Sequence, residues 1–84
     1  MSILELQVAA HEANDVLVWT VYDHPRDYPE HFVVRAHSSK LFTPLTQCFK
    51  FATLEAARDA LAEVGLFRLP PAPSDDVVIV ETWV

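Results

Sequence analysis

Between Tyr22 and His31 the chain carries two histidines, one arginine and three carboxylates within ten residues, its densest set of reactive side chains. Two chemistries suit these residue types. Neutral imidazole and carboxylate are ligands for zinc and other divalent ions, so Asp23, His24, Asp27 and His31 are candidate ligands. Alternatively, His24 could serve as a general base while Arg26 steadies an anionic substrate, in a site completed at a dimer interface. The spacing matches no standard version of either. No His-x-x-x-His falls on a helix, and a single cysteine excludes a paired-cysteine zinc site. Turn chemistry accounts for the same residues: Asp23 closes an Asx turn, Pro25 and Pro29 set turn dihedrals, and Tyr28 packs its ring on a sheet edge.

Nothing elsewhere supplies a catalytic apparatus. Ser38 and Ser39 have no glycine-rich oxyanion segment around them. Cys48 lies between Gln47 and Phe49, the setting of a buried structural thiol. Asp75 and Asp76 are adjacent, so in extended chain they point apart. The expectation is therefore no catalytic residue, no cofactor and no resident metal.

The elements that must hold the loop are legible in outline. Val16–Tyr22 is apolar on both faces and belongs inside a sheet. His31–His37 reads as the returning antiparallel strand, with Phe32, Val34 and Ala36 on one face and His31, Val33, Arg35 and His37 on the other. His31 and His37 would lie roughly 20 Å apart, too far for one metal. Ser38–Thr46 reads as a connection broken by Pro44, and 47–51 as a short third strand. Thr53 caps a helix over 54–64, with Leu54, Ala57, Leu61 and Val64 in one stripe and Gly65 ending it. Leu66–Leu69 is a brief extended piece, Pro70–Asp76 a stiff connection, and Val77–Val84 a last strand. Residues 2–13 are ambiguous: Ser2 and Glu5 fit a helix capping box, whereas Leu4, Leu6 and Val8 alternate as in a strand. The balance leans to a peripheral helix, with a flexible segment as the alternative. The sum is an α+β fold, a small mostly antiparallel β-sheet with one main helix packed on one face, in one domain spanning 1–84.

Composition narrows the partners. Six Lys and Arg against twelve Asp and Glu give a net charge of −6. Such a surface repels nucleic acid and anionic membrane alike. One cysteine, no secretory leader and no long apolar run point to the cytoplasm. A chain this short buries only roughly 60% of its unfolded surface. A hydrophobic share of 51% then leaves apolar area over, more often an association face than a pocket. A homodimer is expected. Trp19 and Trp83 are placed to close the core, with a partner anchor as the alternative, and Arg35 and Glu81 to pair across strands.

The stretch Tyr22-Asp23-His24-Pro25-Arg26-Asp27-Tyr28-Pro29-Glu30-His31-Phe32-Val33-Val34-Arg35 resembles the signature of a family of small uncharacterised bacterial proteins, as does the acidic turn and strand at 75–83. The likeness covers the chain from Val18 onward. It implies a bacterial, cytoplasmic protein and transfers no activity, cofactor or catalytic residue. The leading expectation is a non-enzymatic protein acting through protein contacts, with the candidate surface formed by Asp23, His24, Arg26, Asp27, Tyr28, His31 and Arg35. The alternatives are a ligand- or metal-binding loop and an interfacial enzyme.

Overall fold

A computed structural model describes residues 1–70 and 78–84. The strand with apolar side chains on both faces, β1 (Leu17–Asp23), lies at the centre of the sheet. β2 (Phe32–Ser38) returns beside it and β3 (Thr43–Phe51) lies outside β2. On the other side come β5 (Ile79–Trp83) and then the two-residue β4 (Arg68–Leu69), giving the order β3-β2-β1-β5-β4 with every pairing antiparallel.

Register assigns the two faces. Trp19 sits opposite Ala36 and Trp83, and Val21 opposite Val34 and Glu81, so one face carries the core. Thr20 sits opposite Arg35 and Thr82, Tyr22 opposite Val33, and Arg35 opposite Cys48, which sets these side chains on the other face.

Both helices pack on the core face, so the expectation of one main helix is corrected to two of ten residues each. In α1 (Ile3–Glu12) the capping box is complete: the Glu5 amide donates to Ser2 Oγ at 3.1 Å and the Ser2 amide to Glu5 Oε1 at 3.0 Å. Those bonds hold the Glu5 carboxyl below its ordinary range. Ile3, Leu6 and Ala10 face the sheet, which decides helix over strand, because these positions follow a helical stripe. α2 (Leu54–Glu63) begins at Thr53, whose hydroxyl accepts the Ala56 amide, and buries Ala57 and Leu61. It ends at Gly65, where φ is +83° and the Gly65 and Leu66 amides donate back to Ala62 and Leu61. Trp19 and Trp83 both lie in the core.

Several boundaries shift. β1 starts at Leu17, and β2 runs from Phe32 to Ser38, leaving His31 outside it. The connection expected over Ser38–Thr46 is largely strand, with β3 starting at Thr43. Pro44 survives there because β3 is an edge and its pairing with β2 is irregular between Arg35 and His37. The stiff connection expected after Pro70, with Asp75 and Asp76, lies outside the described residues.

Asp15 ties the turn between β2 and β3 to the end of α1. Its carboxylate accepts from the Ser38 and Ser39 hydroxyls and the Lys40 amide, bonds that lower its pKa. At this turn Phe42 is 89% exposed with φ at +56°, a left-handed conformation disfavoured for a bulky side chain. Asn adopts it at less cost, so Phe42→Asn is expected to raise stability by about 0.5–1 kcal/mol. Urea denaturation followed by circular dichroism checks this; an unchanged or lower midpoint would show the turn to be unstrained.

Candidate functional site

The loop between β1 and β2 does not gather its reactive side chains. Its ends are closed by backbone: the His24 amide donates to His31 O at 3.1 Å and the Asp23 amide to Val78 O at 2.7 Å. Within it, the Tyr28 amide donates to Pro25 O at 2.9 Å, the turn that the two prolines announce. His24 takes a left-handed φ of +46°, its Nδ1 contacts the Asp23 carboxylate, and its ring lies edge-on to Phe32 at 4.9 Å. Asp23 and His24 therefore occupy the end of the sheet beside Phe32. Arg26 is exposed, and His31 is half-buried at the mouth of β2.

Pro25, Asp27 and Tyr28 turn the other way. They fold onto the face opposite the helices and, with Tyr22, Val33 and Arg35, line a hollow of about 200 Å³. Tyr28 covers the middle strands here, which is why Val33 is buried although no helix lies above it. Lys50 Nζ stands 5.0 Å from the Tyr28 ring centroid, a cation–π contact. The neighbouring Cys48 side chain pushes the Tyr28 phenol above its ordinary range. Cys48 is thus half-buried on the open face, not the buried thiol expected of it. Its alternation with Phe49 and Phe51 already gave the parity that would have placed it there. At the far end, burial pushes the His37 imidazole below its ordinary 6.5, and the Arg35 charge adds to the shift.

Arg35 is the centre of the hollow. Its Nε is buried and has no hydrogen-bond acceptor among the described residues. A buried donor left without an acceptor costs about 1–3 kcal/mol. The expected pairing with Glu81 fails on parity: Arg35 faces the hollow, whereas Glu81 faces the helices and pairs with Arg58. Asp27 shares the hollow with Arg35, yet neither belongs to an ion pair among the described residues.

Of the seven expected site residues, Asp27, Tyr28 and Arg35 converge; Asp23, His24, Arg26 and His31 do not join them. Comparisons with protein-family models, curated proteins and solved structures gave no match. The site is therefore read from its own chemistry. Among the described residues no three His, Cys, Asp or Glu side chains stand close enough to hold a metal ion. None of the helices described is long and apolar enough to cross a membrane. What the arrangement offers is a hollow lined by two tyrosines, one acid and an arginine whose buried Nε has no acceptor among the described residues.

Proposed function

We propose that this chain is a non-enzymatic, cytoplasmic contact domain that pairs with a second copy of itself through the open face of the sheet. The observation that carries the reading is that Arg35 and Asp27 line one hollow on the open face and neither has an ion-pair partner among the described residues. If a two-fold contact over this face pairs Arg35 of one copy with Asp27 of the other, symmetry makes the same pair a second time, because an isologous contact repeats every pairing. The face holds both charges together with Tyr22, Tyr28 and Val33, the aromatic, apolar and Arg mixture favoured at interface centres. The helical side offers no such self-complementarity, since Glu5, Glu12, Glu55, Asp59 and Glu63 lie on its two helices. Two copies meeting there would oppose carboxylate to carboxylate.

Sedimentation or light scattering at about 100 μM, far above a micromolar Kd, gives the test. The native chain is expected to run as a dimer, and Arg35→Asp and Asp27→Arg each as monomers. Mixing the two variants restores both ion pairs and is expected to restore dimers, now with one copy of each. A monomeric native chain overturns the reading, as does a mixture that stays monomeric while the native chain pairs.

The interfacial-enzyme reading has less support: His24 engages Asp23 and Phe32 away from the hollow, and Arg26 projects from the loop.

A further inference from the structure

An open apolar groove runs between the start of α1 and the end of α2. Ile3, Phe49, Ala60 and Val64 floor it, Leu4 forms its ridge, and it encloses about 540 Å³. Beyond the ridge a second apolar hollow continues over Met1, Val8 and Ala9 along the outer side of α1. Met1, Leu4 and Val8 are 61%, 55% and 48% exposed, a large outlay of apolar surface for so small a domain. Leu4 and Val8 are four residues apart and stand one above the other on the helix.

The charged side chains at the rim have one sign. Glu5, Glu12 and Glu63 border the two hollows. The arginine of these helices, Arg58, is turned to Glu81. The Met1 ammonium at the groove's end donates to Gln47 Oε1 at 3.2 Å. An apolar floor between acidic rims selects an occupant that brings apolar side chains flanked by cations, and it disfavours a second copy of this acidic chain.

We propose that this groove docks an amphipathic basic helix of another protein, two to three turns long, with its apolar stripe on Leu4, Val8 and Val64 and its Lys or Arg residues over Glu5, Glu12 and Glu63. α1, at ten residues, is about 15 Å long, which matches a stripe of anchors at i, i+3 or i+4, and i+7. This surface lies on the opposite side of the sheet from the Arg35 hollow, so either proposal can fail alone.

The probe is a synthetic, fluorescein-labelled 14-residue helix with a leucine stripe and lysine flanks, titrated by anisotropy. Its control has the same composition with the leucines spread round the helix. Saturable binding of the striped peptide, at least tenfold tighter than the control, is expected. Raising salt from 50 to 300 mM should weaken it about fivefold through screening. Leu4→Gln with Val8→Gln keeps helix propensity and charge, and is expected to weaken binding about tenfold. Glu12→Gln with Glu63→Gln, both at exposed positions, should reduce the salt dependence. Amide shifts should fall on 3–9 and 60–64, leaving Tyr28 and Arg35 unmoved. Equal binding of both peptides, indifference to Leu4→Gln with Val8→Gln, or shifts confined to the open sheet face would each overturn the proposal. So would loss of self-association, instead of peptide binding, in the Leu4→Gln/Val8→Gln variant.

Discussion

Arg58→Met is expected to destabilise the fold more than Glu81→Leu does, although both remove the same ion pair. Glu81 is 3% exposed and Arg58 36%. Arg58 Nε donates to both carboxylate oxygens at 3.1 Å, its second nitrogen donates to Oε1 at 2.7 Å, and Trp83 Nε1 donates to Oε2 at 2.7 Å. Removing the arginine strands a buried carboxylate with Trp83 and the distant Arg68, 4.0 Å away. An uncompensated buried charge of this kind costs about 3 kcal/mol or more. Removing the glutamate frees Arg58 to reach water and fills the space with leucine. What remains is the Trp83 N–H without its acceptor, about 1–2 kcal/mol. Urea unfolding at pH 7 ranks the two. The reverse order would mean that Arg58 stabilises through its packing rather than through the charge.

The same pair sets opposite responses to acid. Burial alone would raise the Glu81 carboxyl, but hydrogen bonds from Arg58 and Trp83 and the charges of Arg58 and Arg68 outweigh it and hold the carboxyl below its ordinary 4.5. A folded-state pKa below the unfolded value means stability fully present above 4.5 and lost as pH falls through the folded value. In Arg58→Met only the Trp83 hydrogen bond and the Arg68 charge still oppose the burial, and the carboxyl is expected to rise above its ordinary range. Glu81 then favours its protonated form in the fold, and the deficit shrinks as pH falls below the raised pKa towards 4.5. Unfolding of both proteins at pH 3.5, 4.5 and 7 should show the gap between them closing in acid. A gap that stays constant across that range would remove Glu81 as its cause.

Strand parity explains both why this network was hidden in the sequence and why the hollow was half visible. Val21 and Glu81 are register partners, so a carboxylate falls on the core-facing side of β5, where an apolar residue is the ordinary expectation. The pairing of β1 with β5 is also irregular between Val21 and Tyr22, which alternation alone cannot reveal. Arg58 sits on the polar side of a helical pattern and gave no sign of reaching over the sheet edge. By contrast, β1, β2 and α2 follow their periods cleanly, and Thr53 and Gly65 act as the cap and stop that their types suggest. α1 was ambiguous because Leu4 and Val8 are apolar and exposed. With Leu6 they mimic a strand, while the residues that bury are Ile3, Leu6 and Ala10. In the loop, residue type showed which side chains could react but not which way a loop with a left-handed His24 would send them. Only Asp27 and Tyr28 turn toward Arg35.

The largest single loss of stability is expected at Trp19. The ring is completely buried, lies 6.1 Å from Phe49 centre to centre, and has Ala36 as its neighbour on β2, where a small side chain leaves room for it. Its Nε1 donates to Gln7 Oε1 at 2.7 Å, so the same residue fills the core and fastens α1 to the sheet. Trp19→Ala is expected to cost about 3–5 kcal/mol, from lost transfer energy and the cavity left behind. A domain of this length has roughly 4–13 kcal/mol in total, so the variant should be partly unfolded at 37 °C. The two roles separate in a cycle. Gln7→Ala alone leaves the indole N–H buried without an acceptor and should cost about 1 kcal/mol. Made on Trp19→Phe, which has no N–H to satisfy, the same change should cost markedly less. Equal costs in the two backgrounds would mean that α1 is held by Ile3, Leu6 and Ala10 alone, and that the hydrogen bond contributes nothing to its docking.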